Sequence, residues 1–282
     1  MPYPPPLDQL LSFGDAWAMD PWPDYPARFG LGPQHVPDLV RMATDRDLLD
    51  GEGQAAWAPA HAWRALGQLG AAEAAEPLTR LLYRIDVFQD DGIDRELPLV
   101  FGLLGAGAVP ALSAYLAEAK NKFYARVAAA HGLKEIAARQ PEARSAARSA
   151  AVGALAAQLE HFARQDETLN AFLIAYLLDL KAAEQAGLIE RAYAAGRVAT
   201  EVPGDWEDAQ IALGLLAERT TPRPDYQAET REALGPLSAG APPREVPEHI
   251  RAWNERLEAQ AAARAAARAS RPEKKRRRRG GR

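Results

Sequence analysis

Between residues 167 and 181 the apolar positions Leu169, Phe172, Leu173, Tyr176, Leu177 and Leu180 recur at i, i+3, i+4, i+7, i+8 and i+11. That spacing turns one face of a helix toward a core. The same period predicts helices near 36–44, 55–69, 74–85, 94–104, 108–119, 122–139, 142–164, 167–181 and 184–195, with another from Asp205 to about Leu216. Connections are short, so neighbouring helices are expected to pack as antiparallel hairpins. Val and Ile are few and Ala is abundant, which favours helix and denies a large sheet its usual material.

Two joints in this pattern resemble each other. Leu66-Gly67-Gln68-Leu69-Gly70-Ala71 leads to Pro77-Leu78, and Gly102-Leu103-Leu104-Gly105-Ala106 leads to Pro110-Ala111-Leu112. Leu69 and Leu104 lie 35 residues apart and Pro77 and Pro110 lie 33 apart, a period that marks helical repeat arrays. A third joint, from Leu177 to Ala183, keeps the outline without the glycines. The expected fold is therefore all-α, an α-solenoid of stacked antiparallel helix hairpins, with Leu69 and Leu104 buried between helices. The tetratricopeptide pattern of Trp, Leu, Gly and Tyr is missing.

Trp63-Arg64-Ala65-Leu66-Gly67-Gln68-Leu69-Gly70 followed by Pro77-Leu78 resembles the bacterial HEAT-like repeats named after phycobilin lyases, over roughly residues 36–195. Asp91-Gly92-Ile93-Asp94-Arg95-Glu96-Leu97-Pro98 and Gly204-Asp205-Trp206-Glu207-Asp208 are similar to segments of uncharacterised bacterial HEAT-like proteins. Some of those carry a C-terminal SEC-C zinc motif. With no cysteine this chain departs from that pattern. The resemblance implies the fold and an interaction role, not a reaction.

The periodic region is flanked by different material. Residues 1–35 mix prolines with Phe13, Trp17, Trp22, Tyr25 and Phe29 and read as a cap on the first repeat, a helix from about Leu7 to Met19 followed by an extended strap. The repeat domain spans 36–218. Residues 219–245 form a Pro-rich linker with one short helix near Tyr226–Leu234, 246–270 an Ala/Arg helix, and 271–282 a disordered basic tail.

Charge sharpens this division. The formal net charge is −4, yet residues 271–282 hold eight Lys/Arg and one Glu, leaving 26 basic and 37 acidic residues, a net −11, in the rest. The two parts are suited to different partners. The absence of cysteine fits a reducing, cytoplasmic setting, and the N-terminus has no signal-peptide character. The uncharged run from Leu97 to Ala117 is long enough for a bilayer, but Gly105-Ala106-Gly107 reads as a turn inside a buried hairpin, so no membrane span is expected.

Candidate chemistry is sparse. Asp86, Asp90, Asp91, Asp94 and Glu96 lack the alternation of an EF-hand loop, and helix capping is the first reading for them. An acidic partner-binding patch of Asp90, Asp91, Asp94 and Glu96 is the second. Asp205 is expected to cap a helix, Trp206 to pack on the last repeat, and Trp206, Glu207 and Asp208 to offer a lesser contact surface. The five histidines are scattered, and none is expected to have a His or carboxylate partner at i, i+4. No metal, cofactor or catalytic residue is assigned. No Gly-x-Ser-x-Gly, phosphate loop, dinucleotide fingerprint or His-Glu dipeptide occurs.

Arg264, Arg268, Lys274, Lys275, Arg276, Arg277, Arg278 and Arg279 form the candidate polyanion contact. The expected function is a non-enzymatic protein–protein interaction or scaffold module holding a protein or peptide. The alternative is a nucleic-acid or ribosome-associated protein anchored by the tail. Bilin lyase and HEAT-type DNA glycosylase readings rank lower, since repeats alone imply no lyase and a net −11 is a poor groove for DNA.

Overall fold

Carboxylates and prolines start most of the helices in the computed structural model, which describes residues 3–139 and 145–226. The first helices are α1 (Tyr25–Phe29), α2 (Val36–Ala43), α3 (Arg46–Leu49), α4 (Ala58–Gln68), α5 (Ala75–Thr79) and α6 (Tyr83–Phe88). They are followed by α7 (Asp91–Leu104), α8 (Val109–Ala117), α9 (Phe123–Ala138) and α10 (Ala146–Leu159). The last are α11 (Glu167–Asp179), α12 (Ala186–Ala194) and α13 (Trp206–Leu213). Asp24, Asp45, Asp90, Asp166 and Asp205 accept hydrogen bonds from first-turn amides of α1, α3, α7, α11 and α13, satisfying donors that have no partner inside the helix. Prolines occupy the first turn of α2, α4 and α8, where a missing amide costs nothing. Among the described residues there is no strand, and the chain is all-α.

Packing follows two series. In one, α4 packs on α7, α7 on α9 and α9 on α11; in the other, α2 meets α5, α5 meets α8 and α8 meets α10. Cross-contacts join α2 to α4, α8 to α9, α10 to α11 and α12 to α13. Small side chains permit this closeness: Ala58, Ala62, Ala65, Ala125, Ala129 and Ala130 are fully buried. Leu104 is buried between helices as expected, whereas Leu69 is only partly covered, because it caps α4 beside an exposed Gly70.

The joints repeat in backbone more than in sequence. At the end of α4, Gly70 takes φ 64, and the amides of Gly70 and Ala71 donate to the carbonyls of Gly67 and Leu66 at 3.0 and 3.1 Å. At the end of α11, Lys181 takes φ 54, with Lys181 and Ala182 donating to Leu178 and Leu177 at 2.9 and 3.0 Å. Both are the paired closure of a helix through a left-handed residue. Lysine there carries the strain that glycine avoids. Gly105 departs from both, with φ 73 and ψ −153. All three joints continue into a 3₁₀ turn, at Ala72–Ala74, Gly105–Ala108 and Ala183–Gln185.

Two expected helices change. The helix expected over 74–85 is broken after Thr79, where the amides of Leu81 and Leu82 bond three residues back and tighten the turn. The helix expected from Leu7 to Met19 is two 3₁₀ turns, Leu7–Ser12 and Ala16–Ala18. The stretch Asp91–Ala117 is long and apolar enough by composition to cross a membrane, but the positive φ of Gly105 divides it, and α7 and α8 both pack on α9.

The N-terminal segment lies over α4, held by a polar ridge at i, i+3 and i+7. The His61 ring meets the Gly14 carbonyl through Nε2 at 2.9 Å and the Tyr25 hydroxyl through Nδ1 at 2.7 Å. A carbonyl only accepts, so Nε2 carries the proton and Tyr25 donates to Nδ1. Arg64 donates to the Ala16 carbonyl at 2.8 Å and Gln68 to the Pro23 carbonyl at 2.9 Å. Burial pulls the His61 pKa below its ordinary value, which keeps the ring neutral. The compact unit extends to Tyr226. The linker beyond that point, the expected Tyr226–Leu234 helix, the Ala/Arg helix and the basic tail lie outside the described residues, as do Arg264, Arg268, Lys274, Lys275, Arg276, Arg277, Arg278 and Arg279.

Candidate partner-binding surface

The acids between residues 86 and 96 take up separate roles. Asp86 closes the start of α9, accepting from the amides of Tyr124 and Ala125 at 3.0 and 2.8 Å. Asp90 caps α7 through the Ile93 amide and pairs with the Arg84 guanidinium at 3.2 Å. Glu96 is not a surface residue. It is 4% exposed and accepts from Trp63 Nε1 at 2.9 Å and Arg64 Nε at 2.8 Å, with Arg64 Nη2 closing the pair. Its place in the acidic patch is withdrawn because a carboxylate buried against a guanidinium has nothing left to offer a partner.

Asp91 and Asp94 remain. Both are exposed in the first turn of α7, and neither carboxylate has a hydrogen-bond or ion-pair partner among the described residues. Asp94 faces α9 and α11. Partial burial lifts its carboxyl above the ordinary value, the His131 charge opposes this, and the Asp91 and Asp86 charges add to it. On α9, His131 Nε2 lies 3.5 Å from Glu135 Oε1, and Lys134 reaches the same oxygen at 2.9 Å. The bond to His131, opposed by burial and helped by Lys134, holds Glu135 at about 2. The His131 ring stacks on Tyr176 of α11, centroids 5.5 Å apart and planes 13° from parallel. Burial, together with the Asp94, Asp179 and Glu135 charges, raises the Tyr176 hydroxyl.

Aromatic and aliphatic side chains continue this surface. Phe123 at the start of α9 meets Tyr124 and Phe172 edge-on at 5.0 and 6.3 Å, and Phe172 lies one turn before Tyr176. Val87, Phe88 and Tyr124 are 52%, 54% and 57% exposed. Asp86 fastens the end of α6 to the first turn of α9, while the Phe88 ring covers the Arg84 guanidinium at 4.6 Å and meets Tyr83 at 6.1 Å. Large apolar side chains are rarely left in water in groups without reason.

No family model, curated protein or solved structure matches the chain.

The second acidic group is occupied by its own chain. Asp205 pairs with Arg219 at 2.7 Å, and Asp208 with Arg219 at 2.8 Å, Arg223 at 3.0 Å and the Tyr226 hydroxyl at 2.5 Å. Glu207 accepts from the hydroxyls of Thr220 and Thr221. Arg219 holds Asp205 at about 2. Trp206 is half-buried against Tyr193, centroids 5.9 Å apart. Trp206, Glu207 and Asp208 thus anchor the returning segment 219–226 rather than present a free face.

Two other features carry less. A cavity of about 180 Å³ is lined by Thr44, Arg46, Leu49, Arg80, Tyr83 and Arg84, but Arg84 is committed to Asp50 and Asp90 and Arg80 to Glu76. Among the described residues no group of three or more His, Asp or Glu is arranged to hold a metal ion. The pairing of His131 with Glu135 corrects the expectation that no histidine has a carboxylate at i, i+4. That spacing was visible in the sequence; the stacking of His131 on Tyr176 was not.

Proposed function

We propose that this chain is a non-enzymatic interaction module that holds a protein or peptide on the surface formed by α6, α7, α9 and α11. One observation carries the reading: exposed Tyr124 continues through the rings of Phe123, Phe172 and Tyr176 to half-exposed His131, beside which lies the unpaired carboxylate of Asp94, with Asp91 in the same first turn of α7. This combines apolar area with directional charge on a rigid helical support, the make-up of a recognition surface. We read the two packed series as HEAT-like repeats of an α-solenoid, since α2/α4, α8/α9 and α10/α11 each contribute one helix to each series. We also read α7 and α8 as core helices rather than a membrane span.

The test is site-directed photo-crosslinking in cells. A photoreactive phenylalanine analogue replaces Tyr124 in one variant and exposed Glu190 of α12 in another. The expected result is discrete protein adducts at 124 that are absent at 190. No adducts at 124, or the same adducts from both positions, would refute the reading. The charge split supports a second reading, a polyanion contact through residues 271–282, and its test is a deletion described below.

A further inference from the structure

The charges around the exposed apolar group select among partners. Asp91, Asp94 and Asp179 are exposed and have no ion-pair partner among the described residues. The cations near them are already engaged or stand aside. Arg84 is buried beneath Phe88, 4.6 Å from its ring centroid, and paired with Asp50 and Asp90. Arg95 lies over the Trp17 ring at 5.6 Å. Lys134 is bound to Glu135. Lys120 and Lys122 are exposed just before α9, at the Tyr124 end of the face and away from Asp179 at the end of α11. Unpaired negative charge therefore lies on the α7 and α11 sides of a face that also shows ring surfaces at Tyr124, Phe172 and Tyr176.

We infer that the occupant of this face is a lysine- and arginine-rich peptide segment bound in extended form. The inference rests on the reading that this surface binds a partner, and it adds the partner's chemistry. A guanidinium or ammonium group can meet a carboxylate and a ring face together, and both contacts favour a cation. A neutral apolar ligand would leave Asp91 and Asp94 partly desolvated without compensation. Nucleic acid or anionic lipid would be repelled. Packed helices lie about 8–10 Å apart, so from α7 across α9 to α11 is about 16–20 Å. An extended chain rises about 3.3 Å per residue, which makes the shortest spanning ligand about six residues long. Cations at alternate positions of such a segment fall on one side, facing Asp91/Asp94 at one end and Asp179 at the other.

The probe is fluorescein-labelled octa-arginine, titrated against the full chain by fluorescence anisotropy at low and high salt. Three variants are compared with the parent: Asp91→Lys with Asp94→Lys, Tyr124→Ala, and Glu184→Lys with Glu190→Lys. The last makes the same change in net charge at exposed positions of α12 and of the 3₁₀ turn before it. The patch reversal is expected to weaken binding about tenfold or more, the aromatic deletion severalfold, and the α12 reversal less than about threefold. Tetra-arginine should bind more weakly than octa-arginine by more than its halved charge explains. Equal losses from the patch and α12 reversals would mean that only the overall charge is being read, and would overturn the proposal. So would no binding by the parent. Self-association that is abolished by the patch reversal, without peptide binding, would assign the face to a second copy and equally overturn it. If adducts still form at position 124 while octa-arginine binding fails the comparison, the surface binds a partner of other chemistry. The two readings then separate.

Discussion

Removing the Glu96 carboxylate should nearly unfold the protein. Glu96 receives Trp63 Nε1, Arg64 Nε and Arg64 Nη2, while the remaining guanidinium nitrogen donates to Ala16 and the Trp22 ring lies 4.8 Å from Arg64 Cζ. Arg64 and Glu96 are 1% and 4% exposed, so water cannot replace the lost partner. In Glu96→Ala the uncompensated guanidinium costs about 3–5 kcal/mol, and the orphaned Trp63 N–H about 1–3 kcal/mol more. The two overlap, and a loss near about 5 kcal/mol stands against a typical total of about 5–15 kcal/mol. Replacing both partners with apolar residues of similar size, Arg64→Met with Glu96→Leu, removes the stranded charge. That variant still leaves the Trp63 N–H without its acceptor, so it should lie about 1–3 kcal/mol below the parent and above Glu96→Ala. Urea unfolding followed by circular dichroism, on both single variants and the double, gives the coupling. If Glu96→Ala loses less than about 1 kcal/mol, or if the two single losses simply add, the pair is not the buried unit described.

Three further outcomes are expected. A Cβ at Gly107 would meet the Ala72 Cβ at 2.5 Å, where neither methyl can turn away, so Gly107→Ala should cost about 1–3 kcal/mol by the same urea titration. Asp205 is held at about 2 against an ordinary 3.8, so the stabilisation it supplies is full above the higher value and lost as pH falls toward the lower. Arg219→Ala should flatten the melting-temperature profile in that acid window and leave neutral pH less affected. Deleting residues 271–282 should abolish duplex DNA and single-stranded RNA binding, with Arg264 and Arg268 leaving at most a weak remainder. The parent should show a log–log salt slope of about −0.9 per neutralised duplex phosphate, and equal binding by the truncated chain would refute the assignment.

Helix was legible because it depends on local signals that the chain repeats: the 3.6 period, aspartate and serine caps, and first-turn prolines. The joints were half legible. Gly67, Gly70, Gly102 and Gly105 suggested two equivalent turns, but the backbone match is between Gly70 and Lys181. A left-handed lysine leaves no mark in composition, since the surrounding hydrogen bonds and not the side chain impose it. The N-terminal segment was legible as a cap and not as two 3₁₀ turns. Its shape is set by what it meets, the His61, Arg64 and Gln68 ridge of α4, and that ridge reads in sequence as ordinary polar residues.

The acidic stretch from Asp86 to Glu96 shows where sequence reasoning stops. Its five carboxylates look alike in sequence, and the fold separates them by what each can reach. Asp86 serves the amides of α9, Asp90 those of α7 and the Arg84 guanidinium, and Glu96 the buried Arg64 and Trp63. Each of those placements lowers the free energy of the folded chain and needs no partner to explain it. Asp91 and Asp94 gain no such contact among the described residues, and Asp94 bears the cost of partial burial beside like charges. The rings beside Asp94 come from α9 and α11, where His131 stacks on Tyr176 and Phe123 meets Tyr124 and Phe172. Asp91 and Asp94 are thus the two acids of the five whose charge the fold leaves to solvent or to a cation supplied from outside.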